Sequence, residues 1–459
     1  MVYNEVSHTV LGVFILAEYV HFIGIGGVSM SGIAKILLNN GIKVSGSDVS
    51  ESDSVLELKS LGAEVAIGHS GDNIKNQDMV VYTSAVKDDN PEIIAAKQKG
   101  IQLIDRATML GLIMKNYANA ISVAGTHGKT TATSMFAYVL LAASMDPTVM
   151  VGGTLVGIMG NLRIGGGDCF ITETCEYMRN FLKFFPRIEV ILNVEEDHLD
   201  YYKDIDDIVS AFSDFVSLVP ENGFVVANRE CANTMRAVSG ARSEVYTFGY
   251  EDADFCARNV DYNDFGYPRF DIYSGEEFVG HIELSVVGDH NVLNAVAIAL
   301  ASYKMGIDFK YIKKGLESYT GTKRRFEKKG FVNGALVIDD YAHHPTEICA
   351  TLKALKNIKH NNEWLIFQPH TYTRTVSLLK EFADALSGAK NVIVTDIFAA
   401  REKDTGLVHA RDLADRIEGA VYISSLEDAA GYIKENAREG DVVITMGAGN
   451  VCDVARYLL

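Results

Sequence analysis

The stretch VAGTHGKTTATS, residues 123–134, reads as a phosphate-binding loop that departs from the common spacing. The common form is G-x-x-x-x-G-K-[ST], but Val123 stands five residues before Gly128, and the nearest earlier glycine is Gly125. A β-run, AISVA, leads into Gly125, Thr126, His127, Gly128, Lys129, Thr130 and Thr131, and an apolar helical pattern follows. That order is the setting a phosphate loop needs. Backbone N–H groups and a helix N-terminus face the anion, a lysine reaches the β- and γ-phosphates, and a hydroxyl ligates Mg²⁺. Lys129 and Thr130 fill the last two places.

Outward from this loop the same strand, glycine turn and helix order recurs. YVHFIGIGGVSMSGIAKILLNNG, residues 19–41, places Gly24, Gly26 and Gly27 between a β-run and a helix, and Asp48 ends the next strand. A dinucleotide fingerprint requires glycine where Ser29 stands, so the turn is expected to approach a diphosphate without being a standard dinucleotide site. A tight turn with no ligand would look the same. A third block opens at GALVIDDYAHHPTEICATLKAL, residues 334–355, and continues through EWLIFQPH, NVIVTDIF and DVVITMGAGN.

The chain has 459 residues, which suggests about three domains. Boundaries near 116 and 322 give an N-terminal extension, 1–18, and domains over 19–115, 116–321 and 322–459. A net charge of −18 argues against a nucleic-acid partner, which would need a concentrated basic surface. The six cysteines form no C-x-x-C pair, so no zinc site or disulfide framework is indicated and a reducing cytoplasm is expected. The apolar run TVLGVFILAEYV, residues 9–20, is too short to span a bilayer, so no membrane insertion is expected.

Phosphoryl transfer with Mg²⁺ also calls for acids at the ends of parallel strands. Glu173 follows the strand CFIT, and Glu195, Glu196, Asp197 and His198 follow VILNV. Taken singly, each acid is more often a solvated loop charge and His198 more often a structural histidine, and their position after strands shifts that balance only modestly.

Seven motifs in order, GIGGVSMSGIA, GTHGKTT, NVEEDHLDYY, GDHNVLNA, RRFE, DDYAHHPTEI and QPHTYTRT, make the chain similar to the Mur ligases from about residue 19 to its end. The short loop is the form of phosphate loop that this family uses. The resemblance implies an α/β protein of three domains: a Rossmann-like UDP-binding domain, a central P-loop ATPase-like domain with a mostly parallel sheet, and a C-terminal Rossmann-like α/β domain that brings the amino acid. Several sister ligases carry a carbamylated lysine downstream of D-H-L-D, where this chain reads SAFSDF. The implied reaction joins L-alanine to the lactyl carboxylate of UDP-N-acetylmuramate at the expense of ATP, through an acyl phosphate.

Carried over by motif, Lys129 and Arg325 stabilise the transferring phosphoryl, and Thr130, Glu173 and His198 hold Mg²⁺. His290, Asn291, Asn294 and Asp340 belong with ATP. Gly24, Gly26, Gly27, Ser29, Ser47 and Asp48 belong with the UDP substrate, and His343, His370 and Arg374 with the amino acid. His344 is a candidate base. Two departures stand out: residues 173–178 read ETCEYM where the family commonly reads EADESD, and Thr371 stands where many members have arginine, which places more of the amino-acid carboxylate on Arg374. A non-catalytic module on this scaffold would be expected to have lost Lys129, Glu173 or His198, and all three are present. A relative adding another amino acid or peptide is the competing enzyme reading, and a monomer or homodimer is expected.

Overall fold

In the computed structural model, residues 17–83, 85–155, 160–199, 201–263, 266–404 and 406–459 are described. Residues 1–16, most of the expected extension, lie outside them. Five short strands pair as a parallel sheet, Tyr19–Ile23 (β1), Lys43–Asp48 (β2), Glu64–Ile67 (β3), Met79–Tyr82 (β4) and Gln102–Asp105 (β5), in the order β3-β2-β1-β4-β5. β1 is buried along its whole length, as a central strand covered on both faces requires. The first crossover is the helix Val28–Asn39, which buries Met30, Ile33, Ile36 and Leu37. Reversal of strand order beside β1 leaves the Gly24–Gly27 turn at the carboxyl end of the sheet, where open α/β sheets bind ligands.

The next strands are Asn119–Ala124 (β6), Thr148–Leu155 (β7), Gly160–Arg163 (β8), Cys169–Glu173 (β9), Ile188–Ile191 (β10), Phe224–Asn228 (β11) and Glu244–Gly249 (β12). They run in the order β12-β11-β10-β6-β9-β7-β8, with only β7 and β8 antiparallel among these pairings. The phosphate-loop strand β6 is therefore central. The helix Ile205–Val216 carries Ile208, Val209, Phe212, Phe215 and Val216 on one buried stripe, and Asp204 caps it by accepting from the Asp207 N–H at 3.0 Å. Phe181 stacks on Phe215 at 4.4 Å and meets Phe212 edge-on at 5.3 Å. Such ring pairs add about 1 kcal/mol each to burial, and they hold the segment after β9 against that helix.

The chain divides into two compact units: the described residues up to Phe255 with Ala297–Ile312, and Cys256–Val296 with Lys313–Leu459. In this division the segment 256–296 groups with the C-terminal residues. Phe255–Tyr262 (β13), whose residues from Cys256 on belong to the second unit, forms an antiparallel meander with Pro268–Ser274 (β14) and Glu277–Glu283 (β15). The main sheet of the second unit comprises Glu327–Val332 (β16), Ala335–Asp340 (β17), Glu363–Phe367 (β18), Asn391–Val394 (β19), Val421–Tyr422 (β20) and Val442–Met446 (β21). The order is β16-β17-β21-β18-β19-β20, parallel except for the β16–β17 pair. Ile338, Phe367, Phe382 and Ile444 lie in its core. Among the described residues, no helix is long and apolar enough to cross a membrane.

Candidate active site

The phosphate loop begins where β6 ends. Gly125 has φ +142° and Gly128 φ +85°, and Gly128 is the residue before the helix Lys129–Ala142. A side chain in that left-handed region costs about 1 kcal/mol or more, so the two glycines let the chain turn sharply enough to aim the helix N-terminus at the loop. Asn193, two residues beyond β10, clasps the loop from the next strand. Its Oδ1 accepts from the His127 N–H at 2.8 Å, its Nδ2 donates to His127 O at 3.1 Å, and its carbonyl accepts from the Thr126 N–H at 3.1 Å. Thr126 Oγ1 in turn accepts from the Glu195 N–H at 2.9 Å, and His127 Nε2 lies 3.6 Å from Glu195 Oε2.

Lys129 Nζ donates to Gly125 O at 2.5 Å and Thr126 O at 3.1 Å, and it contacts Glu176 Oε2 at 3.3 Å. Burial works against its charge, but Glu176, Cys175 and Glu173 outweigh it and hold the ammonium above its ordinary value. The lysine is a fixed cation folded back over its own loop. Thr130 Oγ1 donates to Glu173 Oε2 at 2.6 Å, so two of the three expected metal ligands are neighbours.

The third, His198, has a left-handed φ of +54° and lies with its ring 4.7 Å from that of Tyr177. Ligand atoms of Glu176, Asp197 and His198 come within 4.8 Å of one another. Glu176 is 2% exposed, and its Oε1 has no hydrogen-bond partner among the described residues. A carboxylate oxygen buried without a donor beside an imidazole and a second acid is a donor set that suits a hard divalent cation. Glu176 belongs to the ETCEYM segment that departs from the family pattern. Its signal was its place three residues after Glu173, at the carboxyl end of β9.

At the first glycine turn, the Gly24 and Ile25 N–H groups donate to Ser47 O at 2.9 and 3.0 Å, and the Gly26 N–H donates to Asp48 Oδ2 at 2.8 Å. Ser29 lies in the first turn of the following helix, half-buried. Ser47 is fully buried and donates to Glu92 Oε2 at 2.7 Å. Its hydroxyl serves a network inside the sheet, where Glu92 also meets His21 Nε2 at 3.3 Å, His69 Nδ1 at 2.8 Å and Asn73 Nδ2 at 2.8 Å. Burial opposes the Glu92 charge, and these donors overcome it and leave its carboxyl below the ordinary range.

In the second unit, Arg325 Nη1 lies 3.8 Å from Glu347 Oε1, and its guanidinium covers the Tyr341 ring at 5.3 Å. The other Glu347 oxygen accepts from the His343 N–H at 3.0 Å. His343 and His370 rings are 6.0 Å apart, and His370 Nδ1 receives Arg374 Nη1 at 3.3 Å. Burial, with His343 and Arg374 adding to it, depresses His370 to about 4, so it is neutral at physiological pH. Burial likewise lowers His343. Arg325, His343, His370 and Arg374 thus form one chain of contacts, linked by a glutamate, Glu347, that the sequence reading left out.

Other expected residues have local structural work. His344 precedes Pro345 as the cap of the helix Pro345–Leu355, its Nδ1 accepting from the Thr346 N–H at 3.4 Å. Asp340 accepts from the Phe326 and Ala342 N–H groups at 2.7 and 2.8 Å, and burial raises its carboxyl against the opposing pull of Arg325. Asn291 Nδ2 donates to Val287 O at 2.8 Å, and Asn294 Nδ2 to Asn291 Oδ1 at 3.1 Å. His290 stands beside them, its ring packed against Gly288.

A short phosphate loop with its lysine, hydroxyl and strand-end carboxylate defines a phosphoryl-transfer enzyme of the α/β class. The chain belongs to the Mur ligase family: residues 19–118 match the model of the Mur ligase family catalytic domain, 123–302 that of the Mur ligase middle domain, and 324–449 that of the Mur ligase glutamate ligase domain. It is 48% identical over 445 residues to the UDP-N-acetylmuramate–L-alanine ligase of Caldanaerobacter subterraneus subsp. tengcongensis, covering 96% of this chain and 97% of that one. With the ligase of the same name from Acetivibrio thermocellus it shares 49% identity over 448 residues, 96% of each chain. Among solved structures, the UDP-N-acetylmuramate-alanine ligase of Thermotoga maritima superposes with a TM-score of 0.78 at 29% identity, covering 96% of this chain and 98% of that one.

Proposed function

We propose that this chain joins the lactyl carboxylate of UDP-N-acetylmuramate to the amine of L-alanine with conversion of ATP to ADP and phosphate, a step of peptidoglycan precursor synthesis in the cytoplasm. The observation that carries this reading is the 48–49% identity over 96% of the chain to ligases of that name. A carboxylate is a poor electrophile toward an amine. In the first step its oxygen attacks the γ-phosphorus of ATP and ADP leaves. In the second, the alanine nitrogen attacks the acyl carbon, gives up a proton, and phosphate departs. No protein nucleophile is needed, so catalysis rests on positioning and charge neutralisation.

In this reading Lys129 faces the β- and γ-phosphates, with the N–H groups of Gly125–Thr131 around them. Thr130, Glu173 and His198 hold Mg²⁺, which supplies neutralising charge to the phosphate oxygens. Arg325 is a second cation for the transferring phosphoryl, while His290, Asn291, Asn294 and Asp340 border the nucleotide. The Gly24–Gly27 turn, Ser29, Ser47 and Asp48 serve the UDP moiety, with Ser47 acting through the sheet network. Arg374 grips the alanine carboxylate beside His343 and His370. His344 is the candidate base, and its Nδ1 also caps the helix Pro345–Leu355. The domain division is 19–115, 116–321 and 322–459, and the enzyme works as a monomer or homodimer.

The test is phosphate release by purified protein with ATP, Mg²⁺ and UDP-N-acetylmuramate across a panel of amino acids. L-Alanine should give the highest kcat/KM. Release independent of the amino acid, or led by a residue with a larger side chain, would reject the assignment.

A further inference from the structure

The short helix Tyr372–Ser377, which carries Arg374, lacks a cap of its own. Thr371 precedes it at a φ of +65° and, among the described residues, makes no side-chain capping hydrogen bond. Capping comes instead from Glu402, about thirty residues later in the loop after β19. One Glu402 oxygen accepts from the Tyr372 N–H at 2.7 Å and the Thr373 N–H at 3.0 Å, and the other receives the Thr373 hydroxyl. The loop is tied to the same segment at its other end: Thr371 N–H donates to Phe398 O and Phe398 N–H to Pro369 O, each at 2.9 Å, and the Phe398 ring stacks on His370 at 5.7 Å and 20°. His370 in turn accepts from Arg374. One loop thus fixes the backbone at the start of the Arg374 helix and, by stacking on His370, the partner of the guanidinium.

A local serine or aspartate would cap this helix at less entropic cost. A charged cap reaching across from another loop fixes the orientation of the turn as well as its N–H groups. We propose that Glu402 is a positioning residue for the amino-acid substrate, setting the angle at which Arg374 meets the alanine carboxylate. The inference rests on the reading of Arg374 given above. A bidentate guanidinium contact tolerates little rotation, and displacement of a substrate-positioning group by about 1 Å can cost up to about 10²-fold.

The experiment compares Glu402→Ala, Glu402→Gln and Arg374→Lys in the phosphate-release assay, with Tm measured on the same preparations. Glu402→Ala should raise the KM for L-alanine about tenfold while KM for ATP and kcat stay within about threefold. Glu402→Gln keeps an oxygen for the backbone N–H groups and an amide for the Thr373 hydroxyl, so it should recover most of that loss. Should Glu402→Ala fail to fold, Glu402→Asp, which retracts the carboxylate by one methylene, should show the same alanine-selective rise. A fall in Tm with the alanine KM unchanged, or a glutamine variant as impaired as the alanine one, overturns the inference. If Arg374→Lys raises the alanine KM and the Glu402 variants do not, the positioning role fails and the Arg374 reading stands. If neither moves it, the Arg374 reading itself fails.

Discussion

Gly152 and Glu173 exclude any side chain between them: a Cβ added at Gly152 would lie 2.1 Å from Glu173 Oε1. Gly152 is on β7 and Glu173 ends the adjacent strand β9, so the glycine makes room for the carboxylate that receives Thr130. Gly152→Ala should swing Glu173 out of its contact with Thr130 and lower kcat by about 10-fold or more, with the KM for UDP-N-acetylmuramate within a few-fold. Unchanged turnover would show that Glu173 acts from another rotamer.

Glu173→Ala and His198→Ala should each cut kcat by about 10²-fold or more while binding of the UDP substrate, measured by calorimetry, moves only a few-fold. The loss falls on charge neutralisation during phosphoryl transfer. Near-normal rates in both variants at ordinary Mg²⁺ would move the metal to Glu176 and Asp197.

Asn193 holds three groups of the phosphate loop at once. Asn193→Ala leaves the His127 N–H and carbonyl without their side-chain partner, and should raise the KM for ATP about tenfold with a loss of stability of about 1–3 kcal/mol. Denaturant melts and ATP titration separate the two effects, and a normal ATP KM would mean that the glycines alone shape the loop.

Glu189 on β10 is in register with Ser122 on β6, which is in register with Thr172 on β9. Its carboxyl is fully buried, neither oxygen has a hydrogen-bond partner among the described residues, and burial holds it well above the ordinary carboxyl range. The folded state therefore keeps a proton that the unfolded chain releases near its ordinary pKa of about 4.3. This group's contribution is fully present below that value and is lost as pH rises through the raised folded pKa. Glu189→Gln should remove that slope and raise Tm by a few degrees at pH 8 relative to pH 5, compared with the parent. Parallel Tm–pH curves would show that Glu189 finds a partner in solution.

The path of the chain through its motifs was legible because it depends on neighbours in sequence. A β-run, a glycine at positive φ and a helix produce the loop at Gly125–Lys129 wherever they occur, and the Thr130 hydroxyl follows from the spacing. The two-unit division was not legible: segment 256–296 associates with the C-terminal residues through packing that no local pattern announces.

Sequence order determined the α/β class, the phosphate loop and the list of candidate ligands, since strand ends and helix starts are set by local backbone chemistry. Tertiary structure decided which of those residues meet. Glu176 reaches Lys129 from 47 positions away, Glu402 caps a helix from about thirty, and Gly152 yields its space to Glu173 across two strands. Such pairings follow from strand order and packing, which bring distant residues together only after loop-closure entropy has been offset by burial. For that reason a chain read residue by residue names the parts of this site but not the contacts that hold them.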